Sequence, residues 1–383
     1  MIASQSGPTR EVNQTMALIE RPNCPLYNDQ KLKLGLFGTN CSNGLTVSHA
    51  PTTYRATWEH SLAIARRAEA IGFEMLVPIA RWRGFGGTTD FNGIAFETYT
   101  WAAGLAAATE RIMVFSTSHV PTVHPIVAAK QCVTVDHISA GRFGLNIVMG
   151  WFRPEMEMFG APQREHDERY AYGAEWLGLV KRLWTEEAPF DFDGKYVHIR
   201  QGQAHPKPLQ KPYPVLVNAG FSPAGIDFSA REMDFNFLTV TTLDETKAVI
   251  TELRRRARGY GREIGLMMFG MMICRDTERE AQEVRRQILE KGDWDAANNI
   301  MSVFAVESQS LSPEQIKKFA ERFILGWGGY PLIGTPAQVV EELLKISECG
   351  IEGIVLGFLD YHEELEYFER AVMPLLRQAG LRH

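Results

Sequence analysis

From Lys31 onward, short apolar runs alternate with amphipathic stretches. Leu32-Lys-Leu-Gly-Leu-Phe37 reads as a strand, and Leu62, Ala65, Ala68 and Ile71 recur at helical spacing before Gly72, which predicts a helix over 61–71. The same reasoning predicts further strands at 73–78, 111–115, 143–148, 215–218, 235–240, 266–274 and 353–359. Helices are expected at 98–109, 125–138, 168–184, 224–232, 245–260, 279–291, 313–323, 336–348 and 363–379. Strict alternation implies a parallel sheet, and eight such units favour a closed (β/α)8 TIM barrel, an α/β fold, over an open doubly wound sheet. An open sheet of that kind would carry G-x-G-x-x-G after its first strand. Here the text is Gly35-Leu-Phe-Gly38-Thr-Asn, which does not match.

The rhythm lapses twice. Over 189–214, a hairpin with Asp193-Gly194 at its turn precedes an extended connector, His205–Pro214, that carries four prolines. Because the same pattern resumes beyond it, this reads as an insertion and not a boundary. A second insertion spans 275–333, where Gly326-Trp-Gly-Gly-Tyr330 suits a hinge. Residues 1–30 are polar, lack the basic and apolar regions of a signal peptide, and read as a tail or a docking arm. The expected organisation is therefore that arm followed by one barrel domain, 31–383.

Composition narrows the class. With 45% hydrophobic and 22% charged residues the chain can bury a large core, which excludes a disordered protein. No apolar run approaches the roughly 18 residues of a membrane span. A net charge of −6 gives no nucleic-acid surface, and Arg254, Arg255, Arg256, Arg258 and Arg262 read as a solvated helix face. Five scattered cysteines with no C-x-x-C pair read as reduced thiols of a cytoplasmic enzyme. There is no H-E-x-x-H or G-x-S-x-G, and His119 and His124 have no carboxylate at a fixed metal-ligand spacing, so no metal site is expected.

In such a barrel the chemistry gathers where strands end. Those positions read Thr39-Asn40-Cys-Ser-Asn-Gly44, Arg81-Trp-Arg-Gly-Phe-Gly-Gly87, Thr117-Ser-His119, Asn146 with Gly150-Trp151, and Asn218-Ala-Gly-Phe-Ser222. Any one of these loops is more often a solvated turn; their placement on one rim points to a site. Asn218–Gly225 joins a strand to a helix start, where unpaired N–H groups and the helix dipole attract an anion. Ser222 suits either an N-cap or a phosphate ligand. Arg169 and Tyr170, near another helix start, would close over the same group, or Arg169 would pair with Glu165 or Asp167. One phosphate without a pyrophosphate loop suggests a mononucleotide such as FMN.

Gly141-Arg-Phe-Gly-Leu-Asn-Ile-Val-Met-Gly-Trp-Phe-Arg-Pro-Glu155, Glu165-His-Asp-Glu-Arg-Tyr170, Phe192-Asp-Gly-Lys-Tyr196 and Gly334-Thr-Pro-Ala-Gln-Val-Val-Glu-Glu342 together resemble the bacterial luciferase-like flavin-dependent monooxygenases. The resemblance runs from Lys31 to Pro374 and is strongest to the pyrimidine oxygenase, dimethylsulfone monooxygenase and alkanesulfonate monooxygenase branches. It implies reduced FMN supplied by a separate NAD(P)H-dependent flavin reductase, O2 as co-substrate, a small polar or heteroatom-rich substrate cleaved at C–N or C–S, and a homodimer or homotetramer. It places flavin contacts on Ala80, Arg81, Asn146, Glu155, Arg169, Tyr170 and Ser222, and an oxygen-activating pocket on Thr117, Asn146 and Trp151. Ala80-Arg81 stands where the pyrimidine branch has Ile-Lys. His119 and His124 stand where it has apolar residues, which makes them, with Asn40, the candidates for substrate contact. The alternatives left open are a deazaflavin oxidoreductase of the same fold and a flavin-binding protein without catalysis.

Overall fold

Parallel strands separated by helices close on themselves to form the barrel in the computed structural model, which describes residues 20–240, 242–305 and 313–383. The first four strands are β1 (Lys33–Phe37), β2 (Met75–Val77), β3 (Met113–His119) and β4 (Phe143–Val148). The inserted hairpin supplies β5 (Phe190–Asp193) and β6 (His198–Gly202), paired antiparallel outside the barrel. Then follow β7 (Val215–Asn218), β8 (Phe235–Leu238), β9 (Gly265–Cys274), β10 (Tyr330–Gly334) and β11 (Gly353–Gly357). Pairing runs β9-β11-β1-β2-β3-β4-β7-β8, and β8 returns to β9 (Phe235↔Gly265) to close the ring. The eight expected strands are these eight.

The helices are α1 (Trp58–Ile71), α2 (Thr98–Ala108), α3 (Pro125–Ile138), α4 (Arg153–Met158), α5 (His166–Thr185), α6 (Pro223–Glu232) and α7 (Leu243–Gly259). They continue with α8 (Glu278–Glu290), α9 (Trp294–Ala305), α10 (Pro313–Gly326), α11 (Pro336–Glu348), α12 (Tyr361–Tyr367) and α13 (Met373–Gln378). The single helix expected at 363–379 is divided by a π-helical stretch, 368–372. Pro374, in the first turn of α13, has no N–H to give to the preceding turn, and the wider coil absorbs the missing bond. Strand β9 outruns the barrel, and its far half, Gly270–Cys274, pairs with β10, a ninth parallel strand that the apolar pattern does not reveal.

Pleat alternation sorts the strand side chains into two cores. Met75, Val77, Met113, Phe115, Val215, Val217, Phe235, Phe237, Met267 and Val355 fill the lumen. Gly144 and Gly265 give way to the rings of Phe115 and Phe235, each of which would lie 2.3 Å from an added Cβ. Leu34, Leu36, Val114 and Leu145 face outward onto the helices with Trp176 and Trp184. Of the expected N-terminal arm, residues 1–19 lie outside the described residues. Glu20 bridges to Lys211, and Cys24 and Leu26 reach the lumen cluster from its floor. Arg21 donates to the Tyr213 carbonyl and pairs with Asp234 at 3.1 Å, so that segment is stapled to the connector and to the turn before β8.

Candidate active site

Strand β3 runs four residues further than its apolar stretch suggests, because Ser116–His119 still pair with β4 although they are polar. Thr117 and His119 therefore lie within the strand and not in the loop after it. On β3, Met113 and Phe115 face the lumen, and alternation sets Thr117 and His119 on the same face at the carboxyl-end mouth. Asn146 of β4 is the register partner of Thr117. The Thr117 hydroxyl donates to the Pro78 carbonyl at 2.6 Å and accepts from Asn146 Nδ2 at 3.2 Å. That leaves Asn146 Oδ1, a buried acceptor, with no hydrogen-bond partner among the described residues. Such an acceptor costs about 1–3 kcal/mol when left unpaired, which marks a place built to receive a donor.

A charged cluster lies over this pair. Glu155, in the first turn of α4, is fully buried. Its Oε1 accepts from Arg81 Nη1 at 3.1 Å and from the backbone N–H groups of Trp82 and Arg83. Oε2 lies 3.3 Å from His119 Nδ1. Burial alone would raise the Glu155 pKa, but His119, the Arg81 charge and the Trp82 amide outweigh it and hold the carboxyl below its ordinary range. Around the guanidinium stand Phe85 at 4.4 Å, Phe152 at 5.2 Å and Trp151 at 5.4 Å from the ring centroids. Trp327, in a left-handed conformation after α10, joins the cluster against Phe85 at 5.1 Å. Three loops thus close a dry aromatic wall on one paired cation.

The anion cradle forms at the end of β7. Asn218 Oδ1 accepts from the Gly220 N–H at 2.7 Å, and its Nδ2 donates to the Ile147 carbonyl. Ser229 and Asn236 complete a buried polar web that fixes the loop. Ser222 caps α6, its Oγ accepting from the Gly225 N–H at 3.1 Å. Tyr170 of α5 reaches this loop: a Cβ added at Gly225 would lie 2.6 Å from the Tyr170 hydroxyl and 2.8 Å from the Gly220 Cα. Arg169 sits beside Tyr170 in the first turn of α5, half-buried. Gly225→Ala should force Tyr170 away from the loop and weaken the binding of FMN, followed by flavin fluorescence, by about ten-fold, or ~1.4 kcal/mol. Unchanged affinity would show that this loop holds no flavin group.

The other candidates scatter. Ala80 is buried and lines, with Arg81, Thr117, Ser118 and Tyr99, a chamber of about 20 Å³, room for one water. Asn40 does not reach the site: it donates to the carbonyls of Ile79 and Phe96 and accepts from the Ile79 N–H, so its fully buried amide is spent on holding two loops together. Its place in a rim loop misled, since one sequence does not show where an amide points. His124 is exposed and caps α3, Nδ1 accepting from the Ile126 N–H. It lines a separate cavity of about 340 Å³ with Tyr172, Tyr196 and His198, apart from His119. Phe85, Phe152 and Trp327 were missed as site residues because they meet only in space. The run Arg81–Gly87 carried a partial signal, an arginine and a phenylalanine after a strand.

Comparison with known proteins shows the family. Residues 36–353 match the family described as luciferase-like monooxygenase. An FMNH2-dependent dimethylsulfone monooxygenase of Pseudomonas putida is 33% identical over 358 residues, 91% of this chain and 96% of that protein. The pyrimidine monooxygenase RutA of Bradyrhizobium sp. (strain BTAi1) is 32% identical over 364 residues, 92% of this chain and 99% of the relative. Among solved structures, DmoA from Hyphomicrobium sulfonivorans superposes with a TM-score of 0.80 at 19% identity, covering 92% of this chain and 89% of that one. Riboflavin lyase (RcaE) gives a TM-score of 0.82 at 21% identity, with 92% of each chain covered, so both share the fold. A barrel with its polar residues gathered at the carboxyl-end mouth, matched over more than four-fifths of its length, places this chain in the luciferase-like monooxygenase family.

Proposed function

We propose that this protein is the oxygenase of a two-component system, which takes reduced FMN from a separate NAD(P)H-dependent reductase and puts one atom of O2 into a small, heteroatom-rich organic substrate. Cleavage of a C–N or C–S bond fits the two kinds of relative, which act on pyrimidines and on dimethylsulfone. We place the enzyme in the cytoplasm, consistent with cysteines that are all unpaired among the described residues, and assign it a homodimeric or homotetrameric state.

The residues present fit FMN. The Gly220–Gly225 loop with Ser222 and Tyr170 suits its phosphate, since a glycine cradle, a helix start and a tyrosine hydroxyl meet there, and Arg169, the neighbour of Tyr170 in α5, is assigned to the same group. Ala80 and Arg81 then border the ring, and Glu155 keeps Arg81 in place. When bound, reduced FMN supplies the electrons that activate O2. The chain's own part is to orient and to exclude water. Asn146 Oδ1 offers an acceptor fixed in direction by the Thr117 bond, and the ring of Trp151 covers the cluster from solvent. The observation that carries the reading is this buried Thr117–Asn146 pair, with one acceptor unspent, under an aromatic wall.

Thr117→Val and Asn146→Leu should uncouple the enzyme. Oxygen consumption with reduced FMN should continue while product per O2 falls at least ten-fold and hydrogen peroxide rises. Stopped-flow mixing of protein and reduced FMN with O2 tests the wider reading. A transient absorbance between the reduced and oxidised flavin spectra is expected; direct reoxidation with full peroxide release, with every substrate tried, would refute it.

A further inference from the structure

His119 is a buried imidazole at the carboxyl end of β3. Nδ1 is turned to Glu155 Oε2 at 3.3 Å. Glu155 Oε1 is already occupied by Arg81 and by two backbone amides, so Oε2 is the oxygen left for the histidine. No hydrogen bond joins the two in this conformation, and both atoms are otherwise without a partner among the described residues; since an ionised carboxylate only accepts, a proton on Nδ1 is what lets the pair close into one. In the neutral ring the opposite nitrogen, Nε2, is then an acceptor. No partner for Nε2 is found among the described residues, and the side chain stands two positions beyond Thr117 on the lumen-facing edge of β3.

We infer that His119, its tautomer set by Glu155, is the substrate-contacting acceptor of this site, and that the substrate is a molecule presenting an N–H or O–H next to the atom that is oxygenated. This rests on the monooxygenase reading and deepens it. The substrate kinds named for the relatives divide on this point: an oxopyrimidine carries ring N–H groups, whereas dimethylsulfone has no donor to give. A sulfone would meet Nε2 with its own acceptor oxygens, lone pair against lone pair. Glu155 is the positioning residue, acting through His119.

The tautomer is tested on the whole protein without flavin or substrate. In a long-range proton–nitrogen spectrum of 15N-histidine-labelled protein at pH 8, with His119 assigned by its loss in His119→Gln, Nδ1 should be protonated and Nε2 bare. A proton on Nε2, alone or as the imidazolium, would overturn the inference. Glu155→Gln should release the tautomer into a mixture; an unchanged spectrum in that variant would show that Glu155 does not set it. Turnover with reduced FMN and O2 then separates the two readings. Uracil is the donor-bearing probe, with 1,3-dimethyluracil and dimethylsulfone as probes that lack a donor. Uracil should be preferred at least ten-fold in kcat/KM, and His119→Leu should raise its KM at least ten-fold while flavin affinity holds. Equal use of uracil and 1,3-dimethyluracil, or preference for dimethylsulfone, would refute the inference and leave the monooxygenase standing. Flavin reoxidation that yields only peroxide with all three would sink the monooxygenase reading and, with it, the substrate class.

Discussion

Replacing Arg81 by methionine should cost about 3–5 kcal/mol of folding stability, with loss of oxygenation, although a single side chain of similar length has been exchanged. The expected size follows from what is left behind and not from what is removed. Methionine can pack against Phe85, Trp151 and Phe152 as the arginine stem does, so little apolar contact disappears. Glu155, however, stays fully buried and loses its full counter-charge, retaining two backbone amides and the nearby His119. Urea unfolding at pH 7 measures the loss, and a change below about 1 kcal/mol would mean that Arg81 does not hold the carboxylate. The pH dependence gives a second check. Glu155 has a depressed folded pKa, so its contribution is present above the ordinary carboxyl value and is lost as pH falls through the lower folded value. In Arg81→Met the depression shrinks, so that loss should begin at a higher pH than in the native chain. The double variant Arg81→Met with Glu155→Leu should recover much of the stability and none of the activity.

What the chain discloses before folding follows the same division between local pattern and spatial meeting. The barrel strands were legible because each is an apolar run long enough to show, and helix α3 was bounded by Pro125 at its start and Gly141 beyond its end. Strand β10 was not: it lies at the sheet edge with a half-exposed pattern and contains Pro331, which an edge strand tolerates because no neighbour needs its N–H. Helix α4 is six residues long, too short for periodicity to register. In the site, Ser222 was legible from position alone, as a serine before proline at a helix start. The pairing of Thr117 with Asn146 needs the register of β3 on β4, and the wall around Arg81 joins residues as far apart as 85 and 327. Neither leaves a spacing in the chain. Asn40 and Asn146 look alike as rim amides; only the count of their hydrogen bonds separates a spent amide from an unspent one.

Replacing Arg382 by methionine should lower stability by about 3–5 kcal/mol. Arg382 is only 5% exposed and lies beneath the barrel floor. Its Nη1 meets both oxygens of Glu74, at 2.6 and 2.8 Å, and the Leu32 carbonyl, while Nη2 donates to the Gly72 carbonyl. Glu74 in turn accepts from the Leu34 N–H and from Asn28, so the pair joins the start of β1, the end of α1 and the segment after α13. Without the guanidinium, a buried carboxylate loses its counter-charge, and the carbonyls of Leu32, before β1, and Gly72, after α1, lose a donor. At roughly 2.1 cal/mol/K of unfolding entropy per residue, this corresponds to a fall in Tm of about 5 °C. Arg382→Lys should restore only part of it, since one ammonium cannot serve a carboxylate and two separate carbonyls in the fork geometry that arginine provides. Replacing His383 by alanine should change little, because that residue is exposed. Breaking the exposed pairs of Arg286 with Glu283 and Glu290 should also change little, because water already solvates both partners. An Arg382→Met chain with an unchanged urea midpoint would refute the role of Arg382. Below the transition that variant should keep its coupling ratio, because the floor carries stability and the opposite mouth of the same strands carries the chemistry.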